Sequence, residues 1–275
     1  MTVLVIGGSG YLGGEVCRQA AAAGSTVVAT YRRSPGETRG VRWERLDVRD
    51  RAAVDGLVAA VRPRTVVNVA YAYAEWATTA TGAAQVAAAA AGAGARLVHM
   101  SSDAVHGGRP EPYDDDADPS PIFAYGAAKA AAETAVRVLA PDAAVVRCSL
   151  IIGPDARSNQ VARCLEALDP VSDLRLFRDE FRNPVGVGDL AGAVLELAAG
   201  DYAGVLNVAG PEPMSRAELG ELVARAHGLD PGGLRTATVA ESGMARAALI
   251  VLDSSRARDL LKTRLRPPAD VLGAV

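Results

Sequence analysis

Cysteine is scarce in this chain of 275 residues, and its scarcity excludes two kinds of protein. The three cysteines, Cys17, Cys148 and Cys164, are too few and too widely spaced for a disulfide framework or a zinc site. Each lies in an apolar stretch, so we expect reduced thiols in the core and a reducing cytoplasm as the setting. For Cys148 we favour a core position over a role as a nucleophile.

A surplus of charge and a long apolar run are also missing. The formal net charge is -3 and the isoelectric point is near 5.7, which provides no general attraction for nucleic acid or for an anionic membrane. The first apolar run reaches Gly7 too soon for a signal peptide, and residues 83–95 are too weakly apolar to span a bilayer. We therefore expect a soluble, cytoplasmic protein without a nucleic-acid or membrane partner.

Lysine is the rarest basic residue, because only Lys129 and Lys262 occur among 29 lysines and arginines. Lys129 follows Tyr125 by four residues, which is about one helical turn and places the phenol and the ammonium on one face. A nearby cation favours the phenolate, so we expect Lys129 to lower the pKa of Tyr125. The alternative is a solvated lysine one turn from a half-buried tyrosine.

A glycine-rich turn follows the first predicted strand. Residues 2–6 form a short β-rich run, glycines follow at positions 7, 10 and 13, and residues 15–23 have the pattern of a helix. Such glycines let the backbone approach a pyrophosphate closely at the N-terminus of a helix. A second β-rich run at 26–31 completes a β-α-β unit and predicts a dinucleotide site.

The end of the second strand indicates which dinucleotide is bound. An NAD site usually has an acidic residue there, whereas this chain has Arg32 and Arg33, which suit a 2'-phosphate. We therefore predict NADP(H). The alternative is that both arginines are a solvated strand exit.

Strands and helices continue to alternate, which predicts an α/β fold of the Rossmann type with a doubly wound parallel sheet. Further strands are expected at 41–48, 65–69, 95–100 and 143–152, and helices at about 51–60, where Asp50 is the cap, and at 73–91. Because ligands bind beyond the carboxyl ends of parallel strands, Gly10, Asp47, Asn68 and Ser102 should converge on one edge.

The second half of the chain alternates less regularly and predicts a smaller substrate-binding lobe. We expect helices near 159–168, after Gly188 and at 215–226, where Ser215 and Glu218 form a capping box, and strands near 174–177 and 205–208. The predicted division assigns 1–150 to the NADP(H)-binding domain, with about 185–200 returning to it. Residues 151–184 and 201–275 form the smaller lobe.

Some polar residues have only weak functional signals. The acidic run 114–116 has no spaced partner for a metal site, so we expect a solvated loop and no metal. His99 and His227 are expected to be structural. His106 could touch a ligand, or it could be an exposed loop residue.

Several motifs, taken in order, resemble the extended short-chain dehydrogenase/reductases and in particular their dTDP-4-dehydrorhamnose reductase branch. The resemblance covers nearly the whole chain, and no single motif is decisive. It rests on the glycine turn, Leu46-Asp47-Val48, Val67-Asn68-Val69-Ala70, Ser101-Ser102-Asp103, Tyr125-x-x-x-Lys129, Arg147-Cys148-Ser149, Asn183-Pro184, Asp189-Leu190-Ala191, Asn207-Val208-Ala209-Gly210 and Leu252-Asp253-Ser254-Ser255-Arg256-Ala257.

The resemblance implies an NADPH-dependent reduction of a keto group on a nucleotide-activated deoxysugar. In that family the position of Ser102 holds the oxygen of the carbonyl, that of Tyr125 is the acid/base, and that of Lys129 holds the nicotinamide ribose. The implied cofactor contacts are Gly7, Ser9, Gly10, Tyr11, Leu12, Gly13, Arg32, Arg33, Asp47, Val48, Val69, Ala70, Tyr71 and Lys129. The implied substrate contacts are Ser102, Asp103, Val105, Tyr125 and Asn183.

Departures from the family pattern leave the substrate open. Ala104 stands where related dehydratases carry a glutamate, which argues against dehydration, and Leu150 stands where the rhamnose enzymes often have a tryptophan. The protein could therefore reduce a different carbonyl compound, or it could be an epimerase. It could also be a non-catalytic subunit similar to the NADP-binding regulatory subunit of methionine adenosyltransferase. The resemblance also leaves room for a homodimer.

Overall fold

The computed structural model describes residues 1–243 and 245–273. Its strands follow the short β-branched and apolar runs of the sequence. In chain order they are β1 (Thr2–Ile6), β2 (Thr26–Tyr31), β3 (Val41–Arg45), β4 (Thr65–Asn68), β5 (Arg96–Met100), β6 (Ala144–Arg147), β7 (Ile151–Ile152), β8 (Leu176–Phe177), β9 (Phe181–Arg182), β10 (Val185–Gly186), β11 (Gly204–Asn207), β12 (Met214–Ser215) and β13 (Thr236–Ala237).

The helices fill most of the segments between these strands. They are α1 (Tyr11–Ala22), α2 (Arg51–Val61), α3 (Gly82–Gly92), α4 (Ala124–Leu139), α5 (Asn159–Glu166), α6 (Val187–Ala199), α7 (Arg216–Ala226), α8 (Val239–Ser242), α9 (Ser255–Leu260) and α10 (Pro268–Leu272). Both predicted N-caps are confirmed, because Asp50 accepts a hydrogen bond from the Ala53 amide and Ser215 forms a capping box with Glu218.

Seven parallel strands form the large sheet in the order β11-β6-β5-β4-β1-β2-β3. The central strand β1 is apolar at four consecutive positions from Val3 to Ile6, and all four are buried, as a strand covered on both faces requires. The chain leaves β1 towards β2 on one side and reaches β4 on the other. This reversal creates a crevice at the carboxyl ends of β1 and β4, where open α/β sheets bind ligands.

Helices cover both faces of this sheet. Val3, Val5 and α6 residues such as Leu190 form one core, and Leu4, Ile6 and helix residues such as Val86 form the other. Each fully buried leucine or valine side chain contributes about 1.5 to 3 kcal/mol. The predicted doubly wound α/β fold is confirmed.

Three two-stranded sheets and a third core lie outside the large sheet. β7 pairs with β10, β9 with β12 and β8 with β13. Ile152, Val161, Leu219 and Val223 are fully buried together and hold these short strands against α5 and α7. This arrangement places β9, the start of α7 and residues 246–249 after α8 close to one another.

Three predicted elements were wrong in extent, and the first is the strand predicted at 41–48, which ends at Arg45. The apolar run 143–152 is two strands, because β6 pairs with β5 and β11 whereas β7 pairs with β10, and apolar side chains do not reveal a change of sheet when both sheets are buried. The helix predicted at 73–91 begins later, with a π-helical turn over Ala77–Thr81. The Thr79 hydroxyl accepts a hydrogen bond from the Ala72 amide and donates one to the Ala72 carbonyl, which holds 72–75 as a loop.

The strand Gly204–Asn207 was assigned from the sequence to the smaller lobe, but it pairs with β6 in the large sheet. That part of the predicted division does not hold. Val205 and Leu206 are apolar residues that would suit a strand in either position, and Leu206 is buried. Only the long-range pairing with β6 distinguishes the two positions.

The loop over residues 106–121 is more ordered than a solvated acidic loop. Asp115 is buried, accepts a hydrogen bond from the Asn207 amide at 2.5 Å and pairs with Arg256 at 3.3 Å. His106 is fully buried and stacks on Tyr113, so the exposed alternative for this histidine was wrong. Within residues 1–243 and 245–273, no group of three or more His, Cys, Asp or Glu side chains is placed to hold a metal ion.

The other histidines and cysteines have structural positions. His99 is fully buried in β5, and its Nδ1 lies 3.2 Å from Nδ2 of the Asn68 side chain. His227 caps the carboxyl end of α7. The three cysteines are unpaired and buried, and burial raises the pKa of Cys148 to about 12, which makes it a poor nucleophile.

Candidate active site

The glycine turn after β1 has the geometry of an anion-binding site. Gly7 has a φ of +88°, and a Cβ added at Gly13 would lie 2.3 Å from the Gly7 carbonyl oxygen, so a side chain at Gly13 does not fit. Gly10 is the N-cap of α1 and offers no side chain to its first amides. These amides face a cavity of about 480 Å³, which fits the phosphates of a dinucleotide.

The predicted cofactor residues fall into two groups around this cavity. Its lining includes Gly7, Gly10, Tyr11, Leu12, Gly13, Val69, Tyr71 and Lys129. Ser9, Arg32, Arg33, Asp47, Val48 and Ala70 lie outside the lining. The first group forms the floor beyond β1 and β4, whereas the arginines and Asp47 lie further along the sheet edge, at the ends of β2 and β3.

Basic residues at that edge outnumber acidic ones. The Asp47 carboxylate bonds Arg49 at 2.5 Å and lies 3.9 Å from Arg32, and the Arg49 hydrogen bond helps lower the pKa of Asp47 to about 2. Arg32 also pairs with Glu75 at 3.3 Å. Arg33 is exposed beside them. Asp47, an acidic residue that follows β3 at this edge, is therefore already paired with two arginines.

The spacing of Tyr125 and Lys129 predicted one helical face, and α4 places both side chains in the cavity lining. Lys129 is buried, and its Nζ donates a hydrogen bond to the Met100 carbonyl at 2.8 Å. Nζ lies 6.0 Å from the centre of the Tyr125 ring. Burial lowers the pKa of Lys129 to about 8. The alternative of a solvated lysine was wrong.

Tyr125 lies under two other tyrosines. The Tyr73 ring stacks on it with 4.7 Å between centroids, and the Tyr71 ring is tilted at 5.9 Å. Burial, followed by the charges of Tyr71, Cys148 and Asp103, raises the pKa of Tyr125 well above its usual value, although Lys129 was expected to lower it. Burial is the largest cause of this shift, so Tyr125 is a neutral phenol that can donate a proton.

Ser102 completes the set of predicted catalytic residues. It caps a short 3₁₀ turn over Asp103–Val105, and its Oγ accepts a hydrogen bond from the Ala104 amide at 3.2 Å. The same hydroxyl donates to the Asp103 carboxylate at 3.0 Å and hydrogen-bonds Tyr125, which lowers the pKa of the phenol after the larger effect of burial. Ser102, Tyr125 and Lys129 therefore meet at one wall of the cavity.

The structure separates the predicted substrate residues. Asp103 is in the lining, but Val105 is fully buried and lies outside it. Asn183 is also buried, because its side chain donates to the Gly210 carbonyl and accepts from the Leu252 amide at 3.0 Å. Both residues support the site from behind, so their predicted contact with substrate is corrected to a structural role.

An arginine cluster that the sequence analysis missed forms a second wall of the same cavity. We define it as Arg182, Arg216 and Arg246 with Glu180 between them. The Glu180 carboxylate forms ion pairs with Arg216 at 3.0 Å and Arg246 at 2.8 Å, and Arg182 lies 3.4 Å from it. Three separate segments of the chain supply these side chains. The sequence therefore contained a single local indication of the cluster, which is that Glu180 and Arg182 are two positions apart. Arg182 also lies 3.6 Å from the Asp103 carboxylate, so two carboxylates contact three guanidinium groups and this wall keeps one net positive charge.

Glu180 has no exposed surface, and its environment predicts an acid-sensitive contribution to stability. Burial alone would raise the pKa of Glu180, but the three arginines reverse this effect and lower the pKa from 4.5 to about 2. The stabilisation is therefore complete above about pH 4.5 and is lost as the pH falls towards 2.

Glu180→Gln is expected to lower the free energy of unfolding by about 3 to 5 kcal/mol at neutral pH, because it leaves buried arginines without their counter-charge. Below about pH 4.5 the difference from the unsubstituted protein should shrink, since protonated Glu180 is as neutral as glutamine. Denaturant unfolding at a series of pH values measures this, with the exposed Glu221→Gln as control. A difference that does not change with pH would contradict the assigned role.

The fold and this site together define a Rossmann-type oxidoreductase of the short-chain dehydrogenase/reductase class. Residues 1–268 match the family model described as RmlD substrate binding domain. The chain belongs to this RmlD family, and the predicted resemblance is confirmed. The prediction of an oxidoreductase that uses a nicotinamide dinucleotide is confirmed with it.

Named relatives of the chain are sugar-nucleotide reductases. It is 32% identical over 249 residues to the dTDP-4-dehydrorhamnose reductase of Mycolicibacterium smegmatis, covering 85% of this chain and 71% of the relative. It is 31% identical over 246 residues to the dTDP-4-keto-6-deoxy-D-glucose reductase of Streptomyces niveus, covering 84% and 81%.

Solved structures show the same fold at lower identity. The dTDP-4-dehydrorhamnose reductase of Bacillus anthracis, in complex with NADP, has a TM-score of 0.83 at 22% identity and covers 99% of this chain and 97% of that one. The UDP-glucose 4-epimerase of Thermus thermophilus, in complex with NAD, has a TM-score of 0.85 at 23% identity and covers 99% and 97%. Within residues 1–243 and 245–273, no helix has the length and apolar character needed to cross a membrane.

Proposed function

We propose that this protein reduces the 4-keto group of a dTDP-linked deoxysugar with NADPH, with Tyr125 as the proton donor. The observation that carries the proposal is the pairing of two walls in one cavity. A neutral phenol, a serine hydroxyl and a buried lysine stand on one wall, and the positive arginine cluster stands on the other. A sugar nucleotide has the matching parts, because it carries a keto group on the sugar and a diphosphate beside it.

The wall with Tyr125 supports a reduction. The glycine turn would hold NADPH, and the bound cofactor would supply a hydride to the carbonyl carbon. Tyr125 gives its proton to the carbonyl oxygen, and the Ser102 hydroxyl would turn from the Asp103 carboxylate to donate its hydrogen bond to that oxygen as negative charge develops. Lys129, which is fixed to the Met100 carbonyl, stands where an ammonium can hold the nicotinamide ribose and favour the phenolate left after proton transfer.

The arginine cluster supports a substrate with a phosphate group. Arg216 and Arg246 are partly exposed, at 18% and 33% of the side chain, whereas Glu180 between them is fully buried. Guanidinium groups bind phosphate through paired, charge-assisted hydrogen bonds. Because the cluster comes from residues 180–182, 216 and 246, we further propose that residues 151–184 and the part of 201–275 beyond β11 form the substrate-binding lobe.

The choice of NADPH over NADH is supported by the end of β2. Arg32 and Arg33 follow β2 where an NAD site has an acidic residue for the ribose 2'-hydroxyl, and Asp47, after β3, is paired with Arg49 and Arg32. Arg33 adds a further positive charge at the surface. This edge suits a 2'-phosphate better than a hydroxyl.

Arg32→Glu combined with Arg33→Glu is expected to raise the Michaelis constant for NADPH by at least about tenfold, since a charge-assisted hydrogen bond contributes about 1.5 to 3 kcal/mol. The constant for NADH should change little. Steady-state kinetics with both cofactors measures this, and Arg42→Glu on β3, where the side chain is exposed, is the matched control. An unchanged NADPH constant would indicate that both arginines are a solvated strand exit.

The decisive experiment follows NADPH oxidation with a panel of dTDP-4-keto-6-deoxysugars and with simple ketones that carry no nucleotide. The proposal expects turnover with a nucleotide sugar and formation of the 4-hydroxy product. Turnover of simple ketones alone would favour a different carbonyl substrate. A scrambled sugar stereocentre without net NADPH oxidation would favour an epimerase. Tight NADPH binding without turnover, together with co-purification of a larger enzyme, would favour a regulatory subunit.

A cytoplasmic location and a homodimer remain predictions from the sequence.

A further inference from the structure

Asp103 has its carboxylate turned away from open space and into a set of hydrogen bonds. Oδ1 accepts from the Ser102 hydroxyl at 3.0 Å, and Oδ2 accepts from the Ser149 hydroxyl at 2.7 Å. The Asp103 amide donates to the Cys148 carbonyl at 2.8 Å, which fixes the backbone. A buried carboxylate in this position orients the Ser102 hydroxyl and places a negative charge one side chain away from Tyr125.

Arg182 reaches Asp103 from β9. Its Nε lies 3.6 Å from Asp103 Oδ2, and only 6% of the residue is exposed. Its terminal nitrogens donate to the Phe181 carbonyl at 2.7 Å and to the Ala247 carbonyl at 2.9 Å. Arg182 is therefore fixed by backbone groups, unlike its two more exposed neighbours in the arginine cluster, and is placed to compensate the charge of Asp103.

The groups that face Tyr125 come from four parts of the chain. Lys129 lies on its own helix, Tyr71 and Tyr73 come from the loop after β4, and Cys148 follows β6. Asp103, in the 3₁₀ turn after β5, is the carboxylate whose charge raises the pKa of Tyr125, after the larger effects of burial and of Tyr71 and Cys148. The charge of Asp103 therefore acts directly against formation of the phenolate.

We propose that Arg182 and Asp103 form a positioning pair, in which Arg182 holds Asp103 against Ser102 and compensates its charge beside Tyr125. The proposal rests on the proposed role of Tyr125 as proton donor. It assigns to Arg182 a task different from phosphate binding. It also makes the proton donor on α4 depend on Arg182, which reaches Asp103 only when β9 is in place.

The test is the pKa of the Tyr125 phenol in the complex with NADP⁺, measured by NMR of ring-labelled tyrosine and assigned with Tyr125→Phe. Asp103→Asn is expected to lower this pKa by about one unit, because it removes a neighbouring negative charge. Arg182→Met is expected to raise it by about one unit, because it removes the compensation. The double variant should return close to the unsubstituted value.

Opposite shifts of the Tyr125 pKa distinguish a positioning pair from a structural contact. A general loosening of the site would shift this pKa in the same direction in both variants. Arg178→Met, which removes an exposed arginine paired with Glu241, is the control for Arg182→Met. Asp116→Asn is the control for Asp103→Asn. Thermal unfolding and NADP⁺ binding verify that each variant is folded. If Arg182→Met does not fold, the shift in Asp103→Asn alone decides the matter.

An unchanged pKa in folded Asp103→Asn, or shifts in the same direction in both variants, would overturn the inference. The measurement needs no sugar substrate. Opposite shifts in a protein that reduces no keto sugar would therefore leave the positioning pair in place and reject the proposed function instead.

Discussion

Tyr125→Phe is expected to lower turnover by about a hundredfold to ten-thousandfold, the range that general acid catalysis contributes. The variant keeps the ring and its stacking on Tyr73, and it loses only the phenolic proton that would reach the carbonyl oxygen. Affinity for NADPH should stay nearly constant, because the glycine turn and Lys129 are unchanged. Steady-state kinetics for turnover and fluorescence titration for NADPH binding separate the two effects.

The matched control is Tyr113→Phe, a buried tyrosine that stacks on His106 outside the cavity lining. It should keep nearly all activity. Full activity in Tyr125→Phe would reject the mechanism altogether. A loss of NADPH binding in parallel with turnover would instead make Tyr125 a cofactor contact.

Arg246→Met and Arg216→Met are each expected to raise the Michaelis constant for a dTDP-sugar by about tenfold to a hundredfold. The estimate takes about 1.5 to 3 kcal/mol for a hydrogen bond to a charged group, with about 1.4 kcal/mol for each factor of ten. Turnover at saturation should change much less, since a diphosphate has the same charge before and after hydride transfer. Kinetics at varied sugar concentration measures both parameters.

The control for these arginines is Arg178→Met, which removes an exposed guanidinium from the segment between β8 and β9. A second comparison uses a simple ketone without a phosphate, for which the variants should match the unsubstituted protein. Unchanged constants for the nucleotide sugar in both arginine variants would show that the diphosphate binds elsewhere. Together with Tyr125→Phe, these variants would separate the roles of the two walls. Tyr125→Phe is expected to lower turnover, whereas the arginine variants are expected to weaken substrate binding.

Local patterns in the sequence predicted the residues at the first wall of the cavity. The turn from Gly7 to Gly13 joins a strand to a helix, and its tight backbone requires glycine at fixed spacings. Tyr125 and Lys129 share a face because a helix repeats every 3.6 residues. Their pKa values were harder to predict, since the burial that raises the pKa of Tyr125 depends on Tyr71 and Tyr73 from another loop.

The arginine cluster could not be predicted from the sequence for the same physical reason, because its residues come from distant segments. Arg216 is 36 residues and Arg246 is 66 residues from Glu180, and nothing in the intervening sequence shows that one carboxylate receives both. Asn183 is a counter-example, because its motif was noticed but its side chain serves the backbone of Gly210 and Leu252. A motif identifies a residue that matters without showing which neighbour it bonds.

The sequence by itself determined the α/β fold, the dinucleotide turn and the pairing of Tyr125 with Lys129, because helix and strand periods and glycine turns depend on near neighbours. Only the tertiary structure decided that β11 joins the large sheet, that Asp115 and His106 are buried, and that Arg182 reaches Asp103. These features depend on contacts between distant segments. Such contacts form when apolar faces pack together, and the order of residues within any one segment does not encode them.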